Sequence, residues 1–509
     1  MRRAMLFLLS LPMAASAQNA PPGLAAIREA DLRRDLHIIA GDAYRGREGG
    51  SIDELRASVW VAEELRKIGL EPMGDAGSYF QWWDIRRTRV GGSSVVRIGD
   101  RAFTMWDDIA VASNNTSRFE APTVWAGDGR DTSIDVRGKV AIAQLVPPTT
   151  RGRETSVNSP EYRYARSAMQ SLGLALTRRG AVGVVLIADS TAEIAFEGVA
   201  NIASRGTYRV DAIPPGGGGR GGAGAAGAAA GAGGRGAAAP APAPTFLVRQ
   251  REGAALRALA GQPMHVALHL ESFTYPSVNI VARVRGSDAR LRDEHVLFST
   301  HQDHDGVRYD IQGDSIWNGA DDNGTGMVAL LAAARAFQQQ PGRRSALFVY
   351  HGAEERGLLG SNYHARSPVV PLNSIVAVLN AEMMGRNHPD SASLLGIQPP
   401  HLNSADLVDH ALRANNVTGK FQLDSLWDRP THPEGWYFRS DHLPYARLNV
   451  PAVMFTSNLH PQYHTPKDDP ESIDYAKLTR MTQWLYLTGW HVANADQRPR
   501  LVPGFRLER

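Results

Sequence analysis

Four short stretches of this 509-residue chain place histidines and carboxylates where apolar runs stop, and a fifth sets aspartates in a turn. The run 295–300 leads into His301-Gln-Asp303, and the run 346–350 into His351-Gly-Ala-Glu354-Glu355. The run 375–379 leads into Asn380-Ala-Glu382, and 451–455 into a loop carrying Tyr463-His464. The fifth stretch, Gly319-Ala-Asp-Asp-Asn-Gly-Thr-Gly326, sets two aspartates in a glycine-rich turn ahead of an apolar helical pattern. Singly, each has a bland explanation: a His-x-Asp is usually a turn, and paired glutamates usually mark a solvated helix start. Their joint placement points to hydrolysis assisted by divalent cations, because imidazole and carboxylate are the donors such ions take. The chain has no cysteine, which excludes thiolate ligands, disulfides and a cysteine nucleophile.

The spacing suggests roles. His301 and Asp303, two apart at a strand end, can face the same way, so the carboxylate could hold one imidazole nitrogen while the other binds metal. One carboxylate of the Asp321-Asp322 pair could bridge two cations. Neighbouring glutamates diverge, which suits a division of labour: Glu355 as ligand and Glu354 as the base that takes a proton from water. Other hydrolytic signatures are missing, namely the GxSxG elbow, the HExxH helix and the P-loop lysine motif. Gly324, Gly326 and Ala329 mimic a dinucleotide fingerprint, but no apolar strand precedes them and the aspartates would repel a pyrophosphate.

Positioning these residues at one edge requires the four apolar runs to be neighbouring strands, since open α/β sheets bind ligands beyond the carboxyl ends of their strands. Apolar runs alternating with helical patterns at 325–338 and 404–414 predict an α/β fold, a mostly parallel sheet sandwiched by helices. Upstream, Leu32, Leu36 and Ile39, then Val59, Val61, Leu65 and Ile68, recur at helical intervals, closed by Gly69 and Pro72. Between 117 and 270 the texture changes to short strands and glycine turns, which predicts a separate small β-rich or α/β module. Its tract 214–244 is nearly all Gly, Ala and Pro, too little to bury, and reads as a flexible loop. The net charge of +3 and scattered arginines give no support for nucleic-acid binding. Residues 1–17 have two arginines, a short apolar run and Ala15-Ser16-Ala17, so a signal peptide cleaved after Ala17 is expected, with a secreted or periplasmic product. No other apolar stretch reaches spanning length.

Read together, His301-Gln-Asp303, Gly-Ala-Asp-Asp322-Asn-Gly-Thr-Gly, Ala-Glu354-Glu355-Arg-Gly-Leu-Leu-Gly-Ser361, Asn-Ala-Glu382-Met-Met-Gly and Tyr463-His464-Thr-Pro-Lys-Asp468 resemble the successive motifs of the di-zinc aminopeptidases. That family also includes glutamate carboxypeptidase, glutaminyl cyclase and the transferrin receptor ectodomain. The resemblance implies two zinc ions, with manganese or cobalt also suited to the ligand set. His301 and Glu382 would complete one site and Glu355 and His464 the other, with Asp322 bridging them. Glu354 would be the general base, Asp303 would orient His301, and Tyr463 would stabilise the oxyanion. Glu382 stands where many members have Asp. Asp441-His442 resembles a further recurrent segment. Ala40-Gly-Asp-Ala-Tyr-Arg-Gly-Arg-Glu-Gly-Gly50 and Gly69-Leu-Glu-Pro72 resemble the leading segment of members with an inserted protease-associated domain. Asp135-Val-Arg-Gly-Lys-Val140 and Arg179-Gly-Ala-Val-Gly-Val-Val185 resemble that insert, so the resemblance implies that a β-rich protease-associated domain at 117–270 interrupts one peptidase domain made of residues 18–116 and 271–509. The implied activity is release of N-terminal residues from peptide or protein substrates. The alternatives are a carboxypeptidase, a glutaminyl cyclase, or a receptor-like protein without catalysis; oligomeric state is not legible.

Overall fold

Two large β-sheets and a two-stranded ribbon, Gly306–Ile311 with Asp314–Trp317, organise the chain in a computed structural model that describes residues 22–111, 116–146, 160–211 and 243–508. The expected signal peptide at 1–17 and residues 214–242 of the Gly/Ala/Pro tract lie outside them.

The larger sheet has ten strands. At its centre Ser345–His351, His295–His301, Ile375–Glu382 and Ala452–Thr456 lie side by side and parallel. These runs are apolar throughout because both faces are covered, and successive side chains serve opposite layers. Val296, Phe298, Phe348, Leu379 and Phe455 enter one apolar layer, whereas Leu297, Leu347, Val349, Val378 and Ala452 enter the other. The first layer lies under helices Glu29–Ile39, Ile52–Ile68, Gly326–Gln339, Ala405–Val417 and Tyr475–Asn494. The second lies under Leu359–Arg366 and His442–Arg447. Phe298 stacks on Phe348 at 5.0 Å and meets Phe337 edge-on at 5.4 Å, so the first layer is anchored directly beneath the strand that ends at His301.

Parallel pairing gives way to antiparallel at both flanks: Leu270–Val284 and Phe80–Val90 on one side, Ser391–Leu395 on the other. The sheet is therefore mixed: the strands that carry the site are parallel, and a short parallel pair, Ser391–Leu395 with Gln422–Leu423, closes one edge. Helix boundaries follow local chemistry. Ser51 caps Ile52–Ile68 by accepting from the main-chain N–H groups of Asp53 and Glu54, and Gly69 ends it at φ 91. Ser404 likewise caps Ala405–Val417.

The smaller sheet has eight strands. It collects strands from Val95–Ile98 to Pro263–Leu268, packed between two apolar layers, one of them under helices Pro160–Arg178 and Phe196–Arg205. Its membership departs from the boundary at 117, since Val95–Ile98 and Ile109–Val111 already belong to it. In the opposite sense, Thr207–Val210 leaves it and pairs with Phe80–Val90 on the larger sheet. Among the described residues no helix is long and apolar enough to cross a membrane.

Candidate metal centre

Two ligand candidates are the last residues of parallel strands: His301 closes His295–His301 and Glu382 closes Ile375–Glu382. Glu354 and Glu355 follow Ser345–His351, and His464 lies in the loop after Ala452–Thr456. The backbone at these ends is tightly constrained. Ala353, Met383 and His464 all take left-handed φ values, 50, 51 and 52, a conformation that costs energy for residues with a side chain. At the Ala353 turn the cost is met by hydrogen bonds. Glu54 accepts the Ala353 N–H at 3.0 Å, and the Asp303 carboxylate accepts those of Glu354 and Glu355 at 2.8 and 3.3 Å.

The aspartate turn is held from three sides. Asp468 accepts the N–H groups of Asp321 and Asp322, each at 3.0 Å. Asn323 donates to the Ala381 carbonyl at 2.9 Å and to Glu382 at 3.2 Å, tying the turn to the neighbouring strand. Arg47, fully buried, donates to the carbonyls of Ile39, Gln302, Asn318 and Gly319 at 2.7 to 3.0 Å. One guanidinium thus binds the leading segment to both loops of the site.

The donor atoms form two clusters sharing one residue. In the first, His301 Nε2 lies 3.2 Å from Asp322 Oδ1 and 3.4 Å from Glu382 Oε1. In the second, His464 Nε2 lies 3.0 Å from Asp322 Oδ2 and 3.1 Å from Glu355 Oε1. The two oxygens of Asp322 therefore face different histidines. Within each cluster the donors lie inside 4.8 Å of one another. Glu354 stands beside the first cluster, its Oε2 4.0 Å from His301 Nε2.

Such packing of buried carboxylates needs positive charge to offset it. Burial and the Glu355 charge push the Asp322 carboxyl upward, yet the close imidazoles of His301 and His464 prevail and hold it well below the usual range. Glu355 is opposed by burial and is likewise held low by His464 and His304. Burial raises Glu354 well above the usual range, with the Glu355 charge adding to it and His301 only partly opposing. Glu355 Oε1 and His464 Nε2 are buried without an aligned hydrogen-bond partner. Unpartnered carboxylate and imidazole donors converging from two sides fit a pair of divalent cations.

The sequence-derived candidates His301, Asp322, Glu355, Glu382 and His464 are thus brought together, with Glu354 at their edge. Asp303 sits differently from its expected role. Its main-chain carbonyl, not its carboxylate, accepts from His301 Nδ1 at 3.0 Å; the nearest carboxylate oxygen is 3.9 Å away. The carboxylate is spent on the Glu354-Glu355 turn. Tyr463 is buried against the His464 ring, and its hydroxyl oxygen accepts from Arg439 at 2.9 Å. Asp441 is fully buried behind the site, and burial pushes it up to about 7 despite His301 nearby.

Sequence reasoning missed several residues. His304 enters the second cluster, its Nδ1 3.0 Å from Glu355 Oε1. Asp305 Oδ2 lies 3.2 Å from His464 Nδ1, on the side of the ring away from the cluster. Ser440 donates to Glu382 Oε2 at 2.5 Å. The run His301-Gln-Asp-His304-Asp305 was a usable signal, since a second histidine three residues on is uncommon enough to weigh. Strand alternation could not use it because the strand stops at His301.

Residues 279–488 match Peptidase family M28. Aminopeptidase YwaD of Bacillus subtilis (strain 168) is 23% identical over 264 residues, 50% of this chain and 52% of that protein. A probable leucine aminopeptidase of Arthroderma otae is 28% identical over 212 residues, 39% of this chain and 53% of that protein. The match thus spans about half the length of these curated relatives. Among solved structures, BSAP, a zinc aminopeptidase from Bacillus subtilis, superposes with a TM-score of 0.55 at 17% identity, covering 94% of this chain and 99% of that one. At that identity the likeness establishes a shared fold.

Proposed function

With an M28 peptidase stretch as the premise, we propose that this chain is an exported aminopeptidase that hydrolyses peptide bonds at a centre holding two zinc ions. The observation that carries the reading is Asp322, whose two carboxylate oxygens address separate clusters: His301 and Glu382 on one side, Glu355 and His464 on the other. Two ions bound there would supply Lewis acidity and bring the pKa of the attacking water toward about 7.

The chain's own residues do the rest. Glu354 lies beside the first cluster, and its raised carboxyl suits a group that takes a proton from water and returns it to the leaving amine. Asp303 fixes the turn that aims it. Tyr463 has its hydroxyl oxygen occupied by Arg439, which leaves its hydrogen free to donate to a developing oxyanion. Arg439 is in turn paired with Glu434 at 3.0 Å. The guanidinium nearest Tyr463 is therefore already neutralised, which favours an enzyme acting on a free N-terminus over one gripping a C-terminal carboxylate. The smaller sheet is assigned to a protease-associated-like domain, and residues 1–17 to a cleaved signal peptide.

The test uses purified chain, zinc and peptides blocked at either end. Sequential release of N-terminal residues, stopped by chelator, restored by zinc and abolished by N-terminal blocking, is the expected result. Equal cleavage of N-terminally blocked peptide would establish a carboxypeptidase instead. Ring closure of N-terminal glutamine without residue release would establish a cyclase. Bound zinc with no turnover would establish a receptor-like protein.

A further inference from the structure

We propose that His304 is a fourth protein ligand of the ion held by Glu355 and His464, making the two cation sites unequal: one closed by four protein donors, the other left open with three. The inference rests on the two-ion reading above.

His304 is fully buried, and neither of its ring nitrogens has a hydrogen-bond partner. Leaving a buried polar group unpaired costs about 1–3 kcal/mol; His442 and His460 are buried with both ring nitrogens likewise unpaired, but of the three only His304 lies in a cluster of metal-ligand atoms. The direction of the unpaired Nδ1 is informative. It lies 3.0 Å from Glu355 Oε1 and 3.8 Å from Asp322 Oδ2, and its ring meets that of His464 edge-to-face at 5.2 Å. The ligand atoms of His304, Asp322, Glu355 and His464 lie within 4.8 Å of one another, as a shared cation requires. Glu355 Oε1 and His464 Nε2 also lack aligned partners, so three unsatisfied donor atoms face the same space.

The surrounding backbone holds the ring there. The His304 N–H donates to the Arg47 carbonyl at 3.2 Å. Gly319, at φ 58, leaves room for the imidazole; a Cβ at that position would come within 2.4 Å of His304 Cγ. Arg47 also grips the Gly319 carbonyl at 2.9 Å, so residue 319 and His304 are registered through one side chain and its own backbone. The first cluster, His301, Asp322 and Glu382, has three donors. In zinc proteins four protein donors describe a site that retains its ion, and three describe one that keeps a position for water or substrate. The Glu355–His464 ion is then the tightly held partner, and the His301–Glu382 side is where water and substrate enter.

X-ray absorption on the zinc-loaded wild-type chain counts imidazoles directly. Three imidazoles over two ions support the proposal; two overturn it. Zinc titration and metal analysis after graded chelation supply the second readout. The wild type should lose one ion readily and retain the other. His304→Gln should weaken the retained ion by at least about 100-fold, beyond what loss of an indirect partner does. Retention unchanged in folded His304→Gln overturns the proposal, and the absorption count stands even if that variant does not fold. Wild-type protein binding fewer than two ions defeats the two-ion reading itself; two ions with two imidazoles defeat only the role of His304.

Discussion

Asp303 accepts the main-chain N–H of Glu354 at 2.8 Å, across 51 positions of sequence. The same carboxylate takes the N–H of Glu355 at 3.3 Å. The residue that follows the strand of His301 therefore sets the geometry of the turn carrying both glutamates, and so couples the two sides of the site. Asp303→Ala removes the acceptor and leaves two buried donors, at about 1–3 kcal/mol each. The expected outcome is a lower melting temperature together with a lower kcat, read by calorimetry and initial rates. Asp303→Asn, which keeps one carbonyl oxygen for Glu354, should recover part of both. A variant with unaltered stability and rate would remove Asp303 from this role.

Glu354 stands next to the first cluster rather than within it, 4.0 Å from His301 Nε2. Glu354→Gln should therefore retain both ions by metal analysis while kcat falls about 10²–10⁴-fold, the usual contribution of a general base. Loss of an ion in this variant would mean that Glu354 is a ligand; an undiminished kcat would mean that the base lies elsewhere.

The part of the site that could be read in advance is the part set by strand geometry. His301 and Glu382 end buried strands, and a continuous apolar run followed by a polar residue marks such a position in any sequence. What escaped reading lies where the chain has left the strand. At residues 302–305 no period applies, so whether His304 or Asp303 faces the cluster depends on contacts with Arg47 and Gly319, 257 and 15 positions away. The smaller sheet shows the same limit. Its strands 95–98 and 109–111 are only four and three residues long, and their assignment follows from partners such as Pro263–Leu268 and Thr245–Val248 that local pattern cannot identify. Thr207–Val210 crosses to the other sheet for a similar reason: it finds the free edge of Phe80–Val90.

Asp305 lies 3.2 Å from His464 Nδ1, the nitrogen facing away from the cluster. A carboxylate there keeps the proton on Nδ1 and Nε2 free to bind. Asp305→Asn should lower affinity for one ion about 10–100-fold without altering the other, read by competitive zinc titration. Because Asp305 also pairs with Arg308 and Arg356, the matching control is Arg308→Met. If that variant reproduces the whole loss, the effect belongs to the arginine cluster and not to His464.

Arg47 makes four hydrogen bonds to carbonyls from one helix end and two separate loops while wholly buried. Lysine has the charge but only three donors on one atom, which cannot reach acceptors spread around a planar fork. Arg47→Lys should thus destabilise the chain by roughly 3 kcal/mol or more through unpaired buried carbonyls and a poorly solvated charge. Zinc should recover part of the loss, since Gln302 and Gly319 flank the ligands and an ion bound only to the native state shifts the unfolding equilibrium. Thermal unfolding with and without zinc checks both points, and a stability equal to wild type would show that the four bonds are not needed.

Lys477 is fully buried in the first turn of Tyr475–Asn494 and donates to the carbonyls of Arg386 and His388. Burial lowers its pKa from 10.5 to about 8, against the attraction of Asp321 and Asp474. Between those pH values the unfolded chain holds a proton that the native chain has released, so native stability rises with pH across the interval and is least below about 8. The full difference corresponds to roughly 3 kcal/mol as an upper bound, at about 1.4 kcal/mol per pH unit. Other groups titrate in the same range, so the quantity to measure is the difference in unfolding free energy between wild type and Lys477→Met at pH 7 and pH 10. Wild type should gain on the variant as pH rises. A difference that stays flat would mean that the ammonium is as well accommodated by its two carbonyls as by water.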